Sequence, residues 1–151
     1  MRHGHYALLA VMGAVHFFAM YGLMYAMVNV LGNVLPNSNQ LYMAGLMTAP
    51  MLALEPILMR SMYPNRIVNV AIVLGSVVLL IGSFVLIRQQ AAVTDRQFLR
   101  SMIPHHGGAI LMCEQAPIRD PEIAELCEGI IESQQSEIDW MKHKLAALEQ
   151  R

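Results

Sequence analysis

Apolar residues run almost unbroken through the first ninety positions, then give way to a periodic mixture of apolar and charged ones. No Asp, Glu, Lys or Arg lies between Arg2 and Glu55, and none between Arg66 and Arg88. A bilayer core needs about 20 apolar helical residues to cross it. Three segments meet that length: 6–31, 41–58 and 67–87. Short turn-like linkers separate them, Leu35-Pro36-Asn37-Ser38-Asn39 and Met62-Tyr63-Pro64-Asn65. The first segment is too long for the core of a signal peptide and no A-x-A site follows it, so we expect it to be retained. In the second, Pro50 and Pro56 should interrupt the helical ladder. Glu55 in the same segment is costly in lipid and should sit at the interface near Arg60 or face a partner.

After residue 90 the period changes to that of amphipathic helices. Thr94-Asp95-Arg96-Gln97 fits a capping box, with Thr94 as N-cap and Gln97 reaching back. It opens a helix over 95–115, which Pro104 should kink or restart. Ala116-Pro117-Ile118-Arg119 is a turn. Asp120 then caps a second helix over 121–148, with Pro121 in its first position. Ile123, Cys127, Ile130, Ile131, Gln134, Ile138, Met141, Leu145 and Leu148 form its apolar stripe. The predicted class is all-α. A membrane domain of three transmembrane helices (1–90) precedes an antiparallel helical hairpin (91–151), half of a four-helix bundle. A lone hairpin buries little core. We therefore expect a homo-oligomer formed through it, or docking onto the membrane piece.

Composition agrees with the split. Hydrophobic residues make up 56% and charged residues 14%, against about 25% charged in a soluble domain. From Arg88 onward there are seven basic and ten acidic residues, which gives no sign of nucleic-acid binding. Arg60 and Arg66 flank the second linker while the first carries no charge. With Arg2 at the N-terminus, this places the N-terminus and second linker in the cytoplasm, and the first linker and hairpin outside. Arg88, Arg96 and Arg100 count against that orientation. No G-x-S-x-G, P-loop or H-E-x-x-H occurs, and the paired Glu-x-x-His of a di-iron bundle is missing. No enzymatic activity is expected.

Methionine stands out, with 13 residues, ten of them in the first ninety. Met43, Met47, Met51 and Met59 share a stripe with Glu55. Met12, His16, Met20 and Met24 form another, with Met27 close by. Thioether and imidazole suit a soft ion such as Cu(I), but methionine is also a flexible filler between helices. The more unusual stretch is Met102-Ile103-Pro104-His105-His106-Gly107-Gly108. Its adjacent histidines diverge by about 100° on a helix. Met102 and Met112 fall on the His105 side, and Cys113 on the His106 side. Gln134, Glu137 and Met141 share a face of the second helix. Cys113 and Cys127 could be a bridge, buried thiols or metal ligands.

Phe98-Leu99-Arg100-Ser101-Met102-Ile103-Pro104-His105-His106-Gly107-Gly108-Ala109-Ile110-Leu111-Met112, followed by Gln134, Glu137-Ile138 and Met141, resembles the signature of the bacterial family known as domain of unknown function 305. The match covers residues 95–148. The resemblance implies a ferritin-like helical bundle, secreted or membrane-anchored, and for some members periplasmic copper binding and resistance. It marks Met102, His105, His106, Met112 and Met141 as metal ligands. A second tier holds Glu137, Gln134, Cys113, Cys127, His16 and Met20. This chain has one hairpin where longer members have four helices and a repeated motif, which favours dimerisation. Cys113 and Cys127 stand where small residues are usual. Core thiols are the expectation, with a disulfide or thiolate ligation as alternatives.

The function expected is a metal-binding protein of the bacterial inner membrane, its hairpin periplasmic. It would hold a copper ion, Cu(I) or Cu(II), for homeostasis or resistance, among membrane lipid and with a copper-handling protein as possible partner. The alternative is a non-catalytic structural or interaction protein whose hairpin is a dimerisation module. A membrane enzyme or transporter using His16 and Glu55 is a third reading.

Overall fold

A computed structural model describes residues 4–150; Arg2, used in the charge argument, lies outside them. Five α-helices follow in order: α1 Gly4–Leu23, α2 Ser38–Leu58, α3 Arg66–Gln89, α4 Asp95–Gln115 and α5 Pro121–Glu149. There is no strand among the described residues. Two compact units result, one of residues 4–24 and 39–91, the other of residues 25–38 and 92–150.

The first unit has three helices long and apolar enough to cross a membrane, Gly4–Met27 (including a short 3-10 turn after α1), Ser38–Leu58 and Arg66–Gln89. Their outward faces are apolar: Phe18, Ile67 and Val78 are each more than two-thirds exposed. Small residues fill the inside. Ala44, Gly45, Thr48 and Ala49 of α2 are buried, as are Ser76 and Ser83 of α3. A Cβ at Gly45 would meet Ser83 Oγ at 2.8 Å, and one at Gly13 would meet Leu52 at 2.8 Å. Small side chains let backbones approach where apolar burial gives no driving force. Thr48 and Ser76 donate to the carbonyls one turn back, Ala44 and Ile72, each at 2.8 Å, so neither hydroxyl is left unpaired. α2 continues through Pro50 and Pro56, contrary to the expected interruption. At one end Tyr6 donates to Asn69 (2.9 Å), Asn69 to the Tyr63 carbonyl (2.8 Å) and Tyr63 to Glu55 (3.4 Å). Burial, then the Glu55 carboxylate, holds the Tyr63 phenol above its usual range.

The second unit is the hairpin plus a strap, residues 25–38. Thr94 and Asp120 cap α4 and α5, as the sequence predicts. The other half of the capping box is not formed: Gln97 Oε1 accepts from Ser38 N at 2.9 Å instead of reaching back to Thr94. α4 runs unbroken through Pro104. Leu99, Ile103 and Ile110 pack against Ile138, Met141 and Leu145 in one core, with Leu35 of the strap at its edge. Arg100 pairs with Glu149 at 2.6 Å, and Arg96 donates to the Leu148 carbonyl.

The expected first span, 6–31, is shorter as a helix. α1 stops at Leu23, Met24–Met27 and Leu31–Asn33 form 3-10 turns, and Val30 is extended. Residues 25–38 belong to the hairpin's unit. Tyr25 donates to the Leu35 carbonyl at 2.8 Å, and Asn37 donates to the same carbonyl (3.0 Å) and to that of Arg100 (3.5 Å). Asn33 is buried and donates to Asn29 at 2.8 Å. Both lie over Gly107, where a Cβ would stand 2.7 Å from Asn29 Oδ1 and 3.4 Å from Asn33 Nδ2.

Two glycine replacements should therefore differ in sign. Gly129 has open space around it, so Gly129→Ala should stabilise by about 1 kcal/mol through helix propensity. In Gly107→Ala the same gain is outweighed by overpacking of about 1–3 kcal/mol. A net loss is expected in chemical denaturation of the full chain in detergent.

Candidate metal centre

α4 sorts its two histidines by their place on the helix turn. His106 faces α5 and is buried. Its Nδ1 lies 2.9 Å from the Met102 carbonyl and its Nε2 lies 2.7 Å from Glu137 Oε2. The carbonyl can only accept, so Nδ1 donates. The Nε2–Glu137 contact then needs one further proton, carried by the ring or by the carboxyl. Neither nitrogen is free to hold a metal while this pair stands. The Glu137 side chain is 59% exposed, so the link is anchored at one end and wet at the other.

His105, one position earlier, is exposed, its ring centroid 6.1 Å from that of His106. Met102 and Met112 lie three residues before and seven after it, on the same stripe. Met112 is exposed and Met102 half-buried against the core. Met141 is a core residue, 5% exposed. Gln134 is half-buried. The candidates thus separate: half-buried Met102 and exposed His105 and Met112 share a stripe about 15 Å long, His106 and Glu137 form an interhelical pair, and Met141 fills the core. Among the described residues no group of three or more His, Cys, Asp or Glu side chains is placed to hold an ion.

Cys113 and Cys127 are joined in a disulfide, their Cα atoms 5.2 Å apart. This corrects the expectation of core thiols and removes both as thiolate ligands. The bridge staples α4 to α5 beside the turn. The second-tier residues of the other unit, His16 and Met20, are half-buried on α1; Glu55, of the third reading, has the Tyr63 hydroxyl as partner.

Sequence reasoning missed the strap at Gly107 and the division of labour between the histidines. Part of the signal for the first was present: Asn29 is out of place inside the expected span 6–31, and Asn33 follows it one helical turn later, just beyond that span.

The pair makes an uneven prediction. His106→Ala empties a buried position and should cost about 1–3 kcal/mol. Glu137→Gln keeps an acceptor on an exposed side chain and should cost less than about 1 kcal/mol. Equal losses in thermal unfolding would contradict the assignment.

Residues 85–145 match the family described as Domain of unknown function (DUF305). A curated relative, "Uncharacterized protein L153" of Acanthamoeba polyphaga mimivirus, is 36% identical over 115 residues, covering 75% of this chain and 74% of its own. That stretch is longer than everything after residue 85, so the likeness includes part of the apolar unit as well as the hairpin. The relative is viral, where the resemblance implied bacterial proteins. No solved structure matches the chain. The hairpin signature and this long alignment agree, and the chain belongs to the domain of unknown function 305 family.

Proposed function

We propose that the chain is a membrane-anchored copper-binding protein whose hairpin stands on the extracytoplasmic side. The observation that carries the copper reading is the Met102–His105 pair, one turn apart on α4 with His105 exposed, beside a His106 whose two nitrogens are occupied. Thioether and imidazole are soft donors suited to Cu(I). A bound copper would be held by Met102 and His105, about 4.5 Å apart along the helix, while Met112 stands about 10 Å beyond His105, too far to join them on one ion. His106 and Glu137 fix the helix that presents the pair, and Met141 supports the core beneath. The ion's use in homeostasis or resistance, and its passage to a copper-handling protein, extend this reading.

Location has two independent supports. Disulfides persist in oxidising compartments, and Cys113–Cys127 is one. Arg60 and Arg66 mark the opposite end of the apolar helices as cytoplasmic. Three crossings put the linker between α2 and α3 on one side and the hairpin on the other. This corresponds to a bacterial inner membrane with a periplasmic hairpin. The dimerisation-module reading is favoured by the exposed Phe98, Leu126 and Trp140, and it is compatible with copper binding.

In detergent, the full chain titrated with Cu(I) against a competing chelator should bind it. His105→Ala should weaken binding at least about tenfold, as loss of a ligating or supporting group does, and Glu137→Gln should leave it within a few-fold. Unchanged affinity in His105→Ala would overturn the site. Separately, an alkaline phosphatase fusion after Gln150 should be active, and one at Met62 silent. The reverse pattern would overturn the orientation.

A further inference from the structure

The strap covers one flank of the hairpin and leaves the other bare. Asn29 and Asn33 lie over Gly107, the Met27 carbonyl is 3.4 Å from where a Gly108 Cβ would be, and Gly32 lies beside Lys142 of α5. At 100° per residue, the opposite flank of α4 carries Phe98, Met102, His105 and Met112. The matching flank of α5 carries Leu126, Glu137 and Trp140. Phe98 is 51% exposed, Met112 58%, Leu126 61% and Trp140 63%. This face carries large apolar side chains from one end of the hairpin to the other, interspersed on α5 with Glu122, Ser133, Glu137 and Lys144, and His105 and Glu137 stand at mid-height, the level fixed by the His106–Glu137 contact.

We propose that a second copy of this chain packs on that face, and that the two His105 side chains meet at the interface. Three arguments select the occupant. α4 is about 31 Å long and two helices are about 20 Å wide. The face thus offers about 600 Å² per copy, and a pair buries about 1,200 Å², the lower end of the range for stable complexes. Two hairpins joined by this face make a four-helix bundle, with the strap of each copy outside it. A symmetric pair whose two-fold axis runs along the helices matches level with level. Each His105 then meets the partner's His105, flanked by Met102 of each copy. A single chain groups no three His, Cys, Asp or Glu ligands among the described residues; the pair brings two imidazoles and the two Met102 thioethers to one level. The shared site rests on the copper reading above, but the interface does not.

The test uses the full chain in lipid nanodiscs and in mild detergent. Native mass spectrometry should give a two-chain mass. Leu126→Arg should halve it, and Ser136→Arg, on the back of α5, should not. Trp140 is the single tryptophan, and its emission should lie to the blue of that in Leu126→Arg. Cu(I) should saturate at one ion per two chains, and Leu126→Arg should weaken it at least about tenfold. A one-chain mass for the unaltered protein, or a two-chain mass for Leu126→Arg, would overturn the interface. So would quenching of Trp140 by brominated acyl chains, which would assign the face to lipid. Copper bound one per chain through His105, unaffected by Leu126→Arg, would overturn the shared site and leave the copper reading standing. A pair that binds no copper would overturn the copper reading and leave the interface standing.

Discussion

The hairpin depends on the close approach of the strap to Gly107. Here a backbone without a side chain admits the Asn29–Asn33 pair, and the strap's Leu35 reaches the edge of the core of α4 and α5. Two helices alone have two open flanks; this contact closes one of them with residues from far earlier in the chain. It also fixes which side of α4 is inside. With Gly107 and Gly108 under the strap and His106 against α5, His105 is left pointing away from both. The chemistry of the Met-His stripe is thus a consequence of where glycines permit packing.

Much of this was legible in the sequence. Uncharged runs gave three apolar helices, and the caps at Thr94 and Asp120 gave the limits of α4 and α5 to within a residue or two. These features are local, so local rules read them. What escaped was long-range. Val28, Val30 and Leu31 are apolar enough to pass for membrane span, and only tertiary contact with α4 shows them as strap. Gln97 was assigned to its own helix because the capping box is a local motif; Ser38, distant in sequence, offers a competing donor. The prolines of α2 and α4 predicted breaks, but each helix continues on both sides of its prolines. The adjacent histidines are equivalent in composition and different in burial, and burial depends on what α5 and the strap do.

The two units solve the same problem in different solvents. In the first, apolar surface faces outward and small residues permit contact. In the second, large aliphatic side chains face inward and the disulfide adds covalent closure at the turn. Membership of the family rests on the second unit's signature together with an alignment that takes in part of the first. The membrane-anchored copper reading joins the two: the apolar helices confine the hairpin to a surface, and the bridge and the Met-His stripe suit an oxidising one.

The strap has a consequence in time. Asn33 leaves the ribosome roughly seventy residues before Gly107 does, and at about 5–20 residues per second this is a wait of roughly 4–15 s. Throughout it, α2 and α3 must be placed before the strap has anything to pack on. Its asparagines keep it content in water for that interval. The second unit is therefore the last to be completed, and nothing upstream of α4 can signal that the hairpin is finished until Gly107 arrives beneath it.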